Sequence, residues 1–241
     1  MSREDERLWD AVWAERRFFS DYERAFLREL RRHAPEAALV LEAGCGRAGI
    51  LRRMLESGRW TTAVGLDLSG EALALAAKAR PDALHLVQGD LFRLPFRAET
   101  FDLVYNSGVI EHFDDEKLEE ALRAMARVTR PGGRVLAVVP NAACLWYRLA
   151  KAWLMKRGRW RFGFERHLSA RTMRRFARRI GLHDIRTRAV LLFPPACDGY
   201  RVLYPRWMRR VLDVFEVVLA PLARVFGYAL IVTGTKGEAT R

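Results

Sequence analysis

At 241 residues, with 50% hydrophobic and 29% charged residues, the chain has the make-up of an ordered globular protein with one sizeable core or a core with a small addition, and its sequence holds no low-complexity tract and no internal repeat. Its three cysteines, Cys45, Cys144 and Cys197, are too widely spaced for a zinc motif or a paired disulfide framework, so a reducing compartment is the simpler setting. A formal charge of +13 favours an anionic partner such as nucleic acid, an anionic membrane surface or an acidic substrate, although a solvated basic face would give the same number.

The first residues, Met1 to Arg7, mix acids and bases and lack the apolar core of a signal peptide. The expected setting is the cytoplasm, including the inner face of its membrane. Over residues 4–33, Leu8, Trp9, Val12, Trp13, Phe18, Phe19, Tyr22, Phe26, Leu27 and Leu30 recur near helical spacing, and Pro35 closes the region. Residues 1–36 therefore read as an N-terminal helical unit, either a lid over a ligand mouth or a cover for one side of the core. Residues 37–241 form the main domain.

That domain opens on a short apolar run, Leu39 to Leu41, which ends in Glu42 and the turn Gly44-Cys45-Gly46. A helix follows to about Leu55. Such a turn lets a ligand approach the backbone and meet free helix N–H groups. Thr62 to Asp67 is a second apolar run ending in an acid. Asp67 lies about twenty residues past the turn, where a carboxylate at the tip of the neighbouring strand accepts hydrogen bonds from a ribose. It could instead cap the helix that begins near Ser69. An alanine-rich helix spans 70–79. Leu84 to Gln88 is a third strand with Gly89-Asp90-Leu91 behind it, and His85 within it reads as structural. Phe101 to Ser107 is a fourth strand with Gly108, Glu111 and His112 at its exit. A helix from Asp114 or Asp115 to about Val128, the turn Arg130-Pro131-Gly132-Gly133 and a fifth strand, Arg134 to Val139, follow. Strands alternating with helices predict a doubly wound parallel sheet, whose ligands bind beyond the carboxyl ends of the strands.

Beyond Asn141 the character changes. Residues 141–168 interleave Trp146, Tyr147, Trp153, Trp160, Phe162 and Phe164 with Arg148, Lys151, Lys156, Arg157, Arg159, Arg161 and Arg166. Ser169 caps a helix from Ala170 to Ile180, and Ile185 to Phe193 is a strand. Residues 199–227 join arginines and aromatics to an apolar helical run from Val211 to Phe226. Asp213, Glu216 and Pro221 interrupt that run, which falls short of the ~18 uninterrupted apolar residues of a membrane span. Its make-up suits interfacial attachment to an anionic membrane, a subunit interface or the wall of a hydrophobic channel. Ala229 to Thr233 is a last strand.

These motifs together resemble the class I S-adenosylmethionine-dependent methyltransferases of the small-molecule type, over residues 37–139 and, more loosely, 165–235. The resemblance rests on Glu42-Ala43-Gly44-Cys45-Gly46, on Asp67, on Gly89-Asp90-Leu91, on Asn106-Ser107-Gly108-Val109, and on the turn before the fifth strand. Ala48 stands where the family usually has glycine. A Rossmann dehydrogenase fits less well, because an acid directly before the turn and the Gly89-Asp90 element both belong to the methyl donor's site. The resemblance implies a Rossmann-like, mostly parallel seven-stranded sheet, with an antiparallel seventh strand between strands five and six. It implies S-adenosyl-L-methionine as cofactor, held by Glu42, Gly44, Cys45, Gly46, Asp67, Leu68, Asp90, Leu91, Asn106 and Ser107, and it calls for no metal. Methyl transfer chiefly needs alignment; where the acceptor must lose a proton, His112 and then His167 are the candidate bases. The later basic, aromatic and apolar segments favour a hydrophobic or lipid-like small-molecule acceptor, such as a lipid, a quinone or a lipid-linked sugar. The alternatives are a nucleic-acid (RNA) methyltransferase and a non-catalytic S-adenosylmethionine-binding protein.

Overall fold

Short apolar runs bounded by turns become the central strands of a sheet covered on both faces. The computed structural model describes residues 7, 9–11, 21–33, 39–58, 60–78, 80–160, 162–192 and 218–237. Within them α1 (Asp21–His33) leads into β1 (Leu39–Ala43), α2 (Gly49–Glu56), β2 (Thr62–Asp67), α3 (Gly70–Ala77), β3 (Leu84–Gln88) and β4 (Phe101–Ser107). The chain continues through α4 (Asp115–Val128), β5 (Thr129–Pro140), α5 (Leu145–Lys156), α6 (Ala170–Arg179), β6 (Leu182–Val190), α7 (Ala220–Phe226) and β7 (Ala229–Lys236).

The seven strands run in the order β3-β2-β1-β4-β5-β7-β6. The first five are parallel, and β7 is antiparallel to both β5 and β6. The parallel strands are those the sequence predicts, and the late strand inserted between its predecessors is the one the family resemblance implies. β1 and β2 bury nearly every residue, as strands covered on both faces must. On one face Leu118, Leu122 and Met125 of α4 and Met173 and Phe176 of α6 close a core over β4, β5 and β7. On the other, Phe26 and Leu30 of α1 join Leu51 and Met54 of α2 and Leu73 of α3.

Side chains set the helix starts. Asp114 Oδ1 accepts from Lys117 N at 2.9 Å, Ser69 Oγ from Ala72 N at 3.0 Å and Ser169 Oγ from Thr172 N at 3.0 Å. Two boundaries differ from expectation. β5 begins at Thr129, because the Pro131-Gly132 turn is absorbed into the strand. β6 runs Leu182–Val190 and not from Ile185 to Phe193. Asp184 takes a left-handed φ of 47° and the pairing with β7 shifts between His183 and Arg186, so a bulge hides the strand's start from its alternation. Phe193, residues 12–20 of the predicted first helix and residues 199–217 of the arginine-rich apolar segment lie outside the described residues.

Candidate functional site

Strand order reverses between β1 and β4, and their carboxyl ends diverge there, as at ligand sites of open α/β sheets. Asn106, near the end of β4, is fully buried and donates from Nδ2 to Ala43 O at 3.1 Å, which fixes the width of the gap. The glycine turn sits directly above it. Gly44 has φ +86°, and a Cβ there would come within 2.5 Å of Val109 Cγ2. Both the backbone and the neighbour demand glycine.

The turn is bonded inward. Gly44 N and Cys45 N both donate to Leu66 O, at 2.7 and 2.9 Å, and Ala48 N donates to Cys45 O at 2.8 Å. Gly46 N donates to Asp67 Oδ2 at 2.6 Å. The N–H groups of the turn itself are thus used by the end of β2, a ready acceptor, to tie β1 to β2. What the turn offers a ligand is close approach. Cys45 is a free, buried thiol, pushed well above its usual pKa by burial and by the Asp67 and Glu42 carboxylates. Glu42 is buried beneath it, beside Tyr105, whose phenol is likewise raised by burial and then by Glu42.

Asp67 accepts from Gly46 N with one oxygen and from Ser69 N, at 2.9 Å, with the other. Ser69, not Asp67, caps α3. A carboxylate has about four lone-pair sites, so Asp67 keeps capacity for the paired hydroxyls of a ribose. Burial raises its pKa, while the backbone N–H groups of Ser69, Gly46 and Leu68 hold it down. Among the described residues Asn106 Oδ1 is buried with no hydrogen-bond partner, a further acceptor at the same switch point. These residues fit a polar, hydroxyl-bearing cofactor such as S-adenosylmethionine. Of the other predicted contacts, the Asp90 carboxylate accepts from Phe92 N at 2.9 Å and caps the short turn Leu91–Arg93. Leu91 turns its side chain into the core. Leu68 O accepts from Gln88 Nε2 at 3.0 Å. Ser107 is half-buried at the tip of β4.

His112 lies across the gap in the turn Ile110–His112. Its Nδ1 is 2.5 Å from Phe164 O. A carbonyl only accepts, so Nδ1 carries the proton and Nε2 keeps its lone pair. Burial lowers its pKa, which favours the neutral ring. Two residues before the described N-terminal stretch ends, Trp9 meets the His112 ring edge-on at 4.9 Å, and Asp10 hydrogen-bonds the Ser69 hydroxyl. Residues 9 and 10 thus touch both rims of the gap.

Behind His112 stands a polar cluster. Lys151 Nζ from α5 contacts Glu165 O at 2.5 Å and Glu165 Oε1 at 3.1 Å, and lies 4.7 Å from the Trp160 ring centre. Both side chains of that ion pair are over 90% buried. The Tyr147 hydroxyl also bonds the Glu165 carboxylate, and its ring meets His167 edge-on at 5.2 Å. Burial, then Glu165, raises the Glu111 pKa well above its usual value. Burial, then Lys151 and Arg148, lowers His167 to about 4. Glu111, His112 and Glu165 bring ligand atoms within 4.8 Å of one another, but the Lys151 ammonium already neutralises Glu165 and would repel a metal cation.

The sequence brought Glu42, the glycine turn, Asp67, Asn106 and His112 to one edge, and so does the structure. It missed Tyr147, Lys151 and Asn141. Lys151 reads as one of many surface cations; only the helical spacing of Tyr147, Lys151 and Leu154 hints at an inward face. Asn141 donates to Val225 O and Gly227 O, both at 2.8 Å, and pins the approach to α5 against α7.

Residues 41–137 match the Methyltransferase domain family model. The chain is 40% identical over 116 residues to a malonyl-[acyl-carrier protein] O-methyltransferase of Enterobacter lignolyticus, covering 48% of this chain and 44% of that one. It is 39% identical over 97 residues to the demethylmenaquinone methyltransferase of Mycobacterium bovis, covering 40% and 38%. It thus spans less than half the length of these curated relatives. The crystal structure of an S-adenosylmethionine-dependent methyltransferase from Mesorhizobium loti superposes with a TM-score of 0.59 at 22% identity, covering 87% of this chain and 96% of that one.

Proposed function

The chain carries a class I S-adenosylmethionine-dependent methyltransferase domain, and on that premise we propose that it moves a methyl group from S-adenosylmethionine to a small, hydrophobic or amphiphilic acceptor. The observation that carries the donor half is Asp67, held by Gly46 N and Ser69 N directly beside the glycine turn. When bound, S-adenosylmethionine supplies an electrophilic methyl group on a sulfonium. The chain's part is alignment. Asp67 receives the ribose hydroxyls, Gly44 lets the ligand close on the backbone, and Asn106 Oδ1 offers an acceptor at the floor. His112 Nε2, unprotonated in the neutral ring, takes a proton from an acceptor that must lose one.

The acceptor's apolar character is supported by α5. Leu145, Trp146, Leu149 and Trp153 are exposed along it, with Arg148, Lys156 and Arg157 beside them. An outward apolar stripe edged by cations suits a lipid surface or an amphiphilic substrate. Among the described residues no helix is long and apolar enough to cross a membrane. The relatives' own acceptors, malonyl-[acyl-carrier protein] and demethylmenaquinone, are the two chemical directions this reading spans.

Calorimetry tests the donor half. Asp67→Ala removes the acceptor for the ribose and frees two backbone donors. It is expected to weaken S-adenosylmethionine binding at least about tenfold, since hydrogen bonds to charged groups are worth about 1.5–3 kcal/mol. Unchanged affinity in a folded variant would overturn the assignment.

A further inference from the structure

One backbone carbonyl keeps the proton of His112 on Nδ1. That nitrogen lies 2.5 Å from Phe164 O, and a neutral imidazole without such a partner exchanges its proton between the two ring nitrogens. Phe164 does not anchor this carbonyl by its own side chain, which is 63% exposed. The hold comes from the residues that follow. Arg166 N donates to Glu111 O at 2.9 Å, so residues 164 and 166 grip the short turn Ile110–His112 at two adjacent points. Glu165 is the middle residue of that clamp.

Glu165 is also where α5 takes hold. Lys151 Nζ donates to its carbonyl at 2.5 Å and to its Oε1 at 3.1 Å. The Tyr147 hydroxyl, one helical turn earlier on α5, bonds the same carboxylate oxygen. Trp160 closes the enclosure: its ring receives the Lys151 ammonium, and its Nε1 donates to Gly163 O at 2.9 Å. A buried ion pair is weak evidence for a role in stability, because apolar side chains of similar volume often replace one without loss. What a buried network of directional bonds supplies is a single rigid geometry. Here the geometry it fixes is that of the segment carrying Phe164 O.

We propose that Tyr147, Lys151 and Glu165 are positioning residues for His112: by fixing residues 164–166 they keep Phe164 O on Nδ1, so that Nε2 is the nitrogen left to take a proton. The relation is that of a buried carboxylate orienting a catalytic imidazole, with a backbone carbonyl in the carboxylate's place. The three act through the loop and not on the substrate. That His112 serves as a base rests on the methyltransferase reading; the hold on its tautomer does not.

The test reads the tautomer directly, from long-range proton–nitrogen correlations of the histidine rings in the full, nitrogen-15-labelled chain above neutral pH. The His112 signals are those lost in His112→Gln. In the unaltered chain His112 is expected in the Nδ1–H form. Lys151→Met with Glu165→Gln breaks both Lys151 bonds without stranding a charge, and should lower the ratio of Nδ1–H to Nε2–H at least about fivefold, the worth of one hydrogen bond. Tyr147→Phe removes one bond of the network and should lower the ratio about twofold or more. Leu154→Ala hollows the same inward face of α5 without touching these bonds; it should reduce stability and leave the ratio unchanged. An Nε2–H ring in the unaltered chain, a ratio that neither the double variant nor Tyr147→Phe moves, or one that Leu154→Ala moves as far, overturns the proposal. Tyr147→Phe decides the matter alone if the double variant does not fold. Binding of S-adenosylhomocysteine, titrated separately by calorimetry, keeps the two readings apart: its absence removes the methyltransferase reading, whereas an unmoved tautomer in a chain that binds it removes only the positioning role.

Discussion

Gly44 and Ala48 carry opposite lessons within one turn. At Gly44 a side chain would need both a φ of +86° and space held by Val109. Left-handed strain of about 1–2 kcal/mol and overpacking of about 1–3 kcal/mol add, so Gly44→Ala should cost about 2–5 kcal/mol in urea unfolding. Ala48, the residue that departs from the family's glycine, also sits in the left-handed region, at φ 51° and ψ 31°. Its methyl is buried, however, and a buried methyl contributes about 0.8 kcal/mol, which offsets most of the strain. Ala48→Gly should therefore shift stability by less than about 1 kcal/mol by the same measurement. His167 gives a pH prediction with a definite sign. Its folded pKa of about 4 lies below the ordinary 6.5, so between those values the unfolded chain binds more protons and stability falls as pH falls. The raised carboxyls of Asp67 and Glu111 act in the opposite sense. The difference between the unaltered chain and His167→Gln isolates the histidine: unfolding at pH 7 and pH 5 should show a smaller loss in the variant.

At the scale of elements, α5 is fastened to the loop behind it by Lys151 and Glu165. Breaking a buried pair on one side leaves an uncompensated charge, at a cost of about 3–5 kcal/mol. Lys151→Met should lose that much in chemical denaturation, and the double change Lys151→Met with Glu165→Gln should lose less than the single one. An additive double variant would show that the pair is not coupled. This pair also marks the limit of what the sequence reveals. The parallel strands and the glycine turn were legible because their signals are local: apolar runs of strand length, an acid or glycine at each end, cap residues before the helices. Asp67 was legible through its spacing from the turn. The place of β7 came from the family resemblance alone. Lys151 was not legible, because its partner lies 14 residues away across an irregular loop and nothing local distinguishes it from the exposed Lys156. β6 was misplaced at its start for the same kind of reason, since its bulge is set by pairing with β7.

For the whole molecule, the question is where a chain of charge +13 puts its cations. α6 exposes Arg171, Arg175, Arg178 and Arg179, and α5 exposes Arg148, Lys156 and Arg157 beside its apolar stripe. Val218, Leu222, Val225 and Phe226 are exposed around α7, which Asn141 ties to the approach to α5. If this face meets anionic lipid, the protein should co-sediment with phosphatidylserine vesicles at low salt, less so at higher salt, and Trp146→Glu with Leu149→Glu should reduce the bound fraction severalfold. Equal sedimentation of the double variant would reject the surface.

The inward bonding of the glycine turn bears on the order of events in turnover. Leu66 O and the Asp67 carboxylate already hold the proposed donor half in place through Gly44, Cys45, Gly46 and Ser69. Behind His112, Glu111 Oε2, His167 Nε2 and the Nε and Nη2 of Arg166 are buried without hydrogen-bond partners among the described residues. A half whose backbone is already fixed can be filled first, while the acceptor's half is completed only by its ligand. The expected kinetic scheme is sequential and ordered, with the donor entering first and its demethylated product leaving last. Product inhibition by S-adenosylhomocysteine should then be competitive against S-adenosylmethionine and noncompetitive against the acceptor, and a random pattern would show that the two halves fill independently.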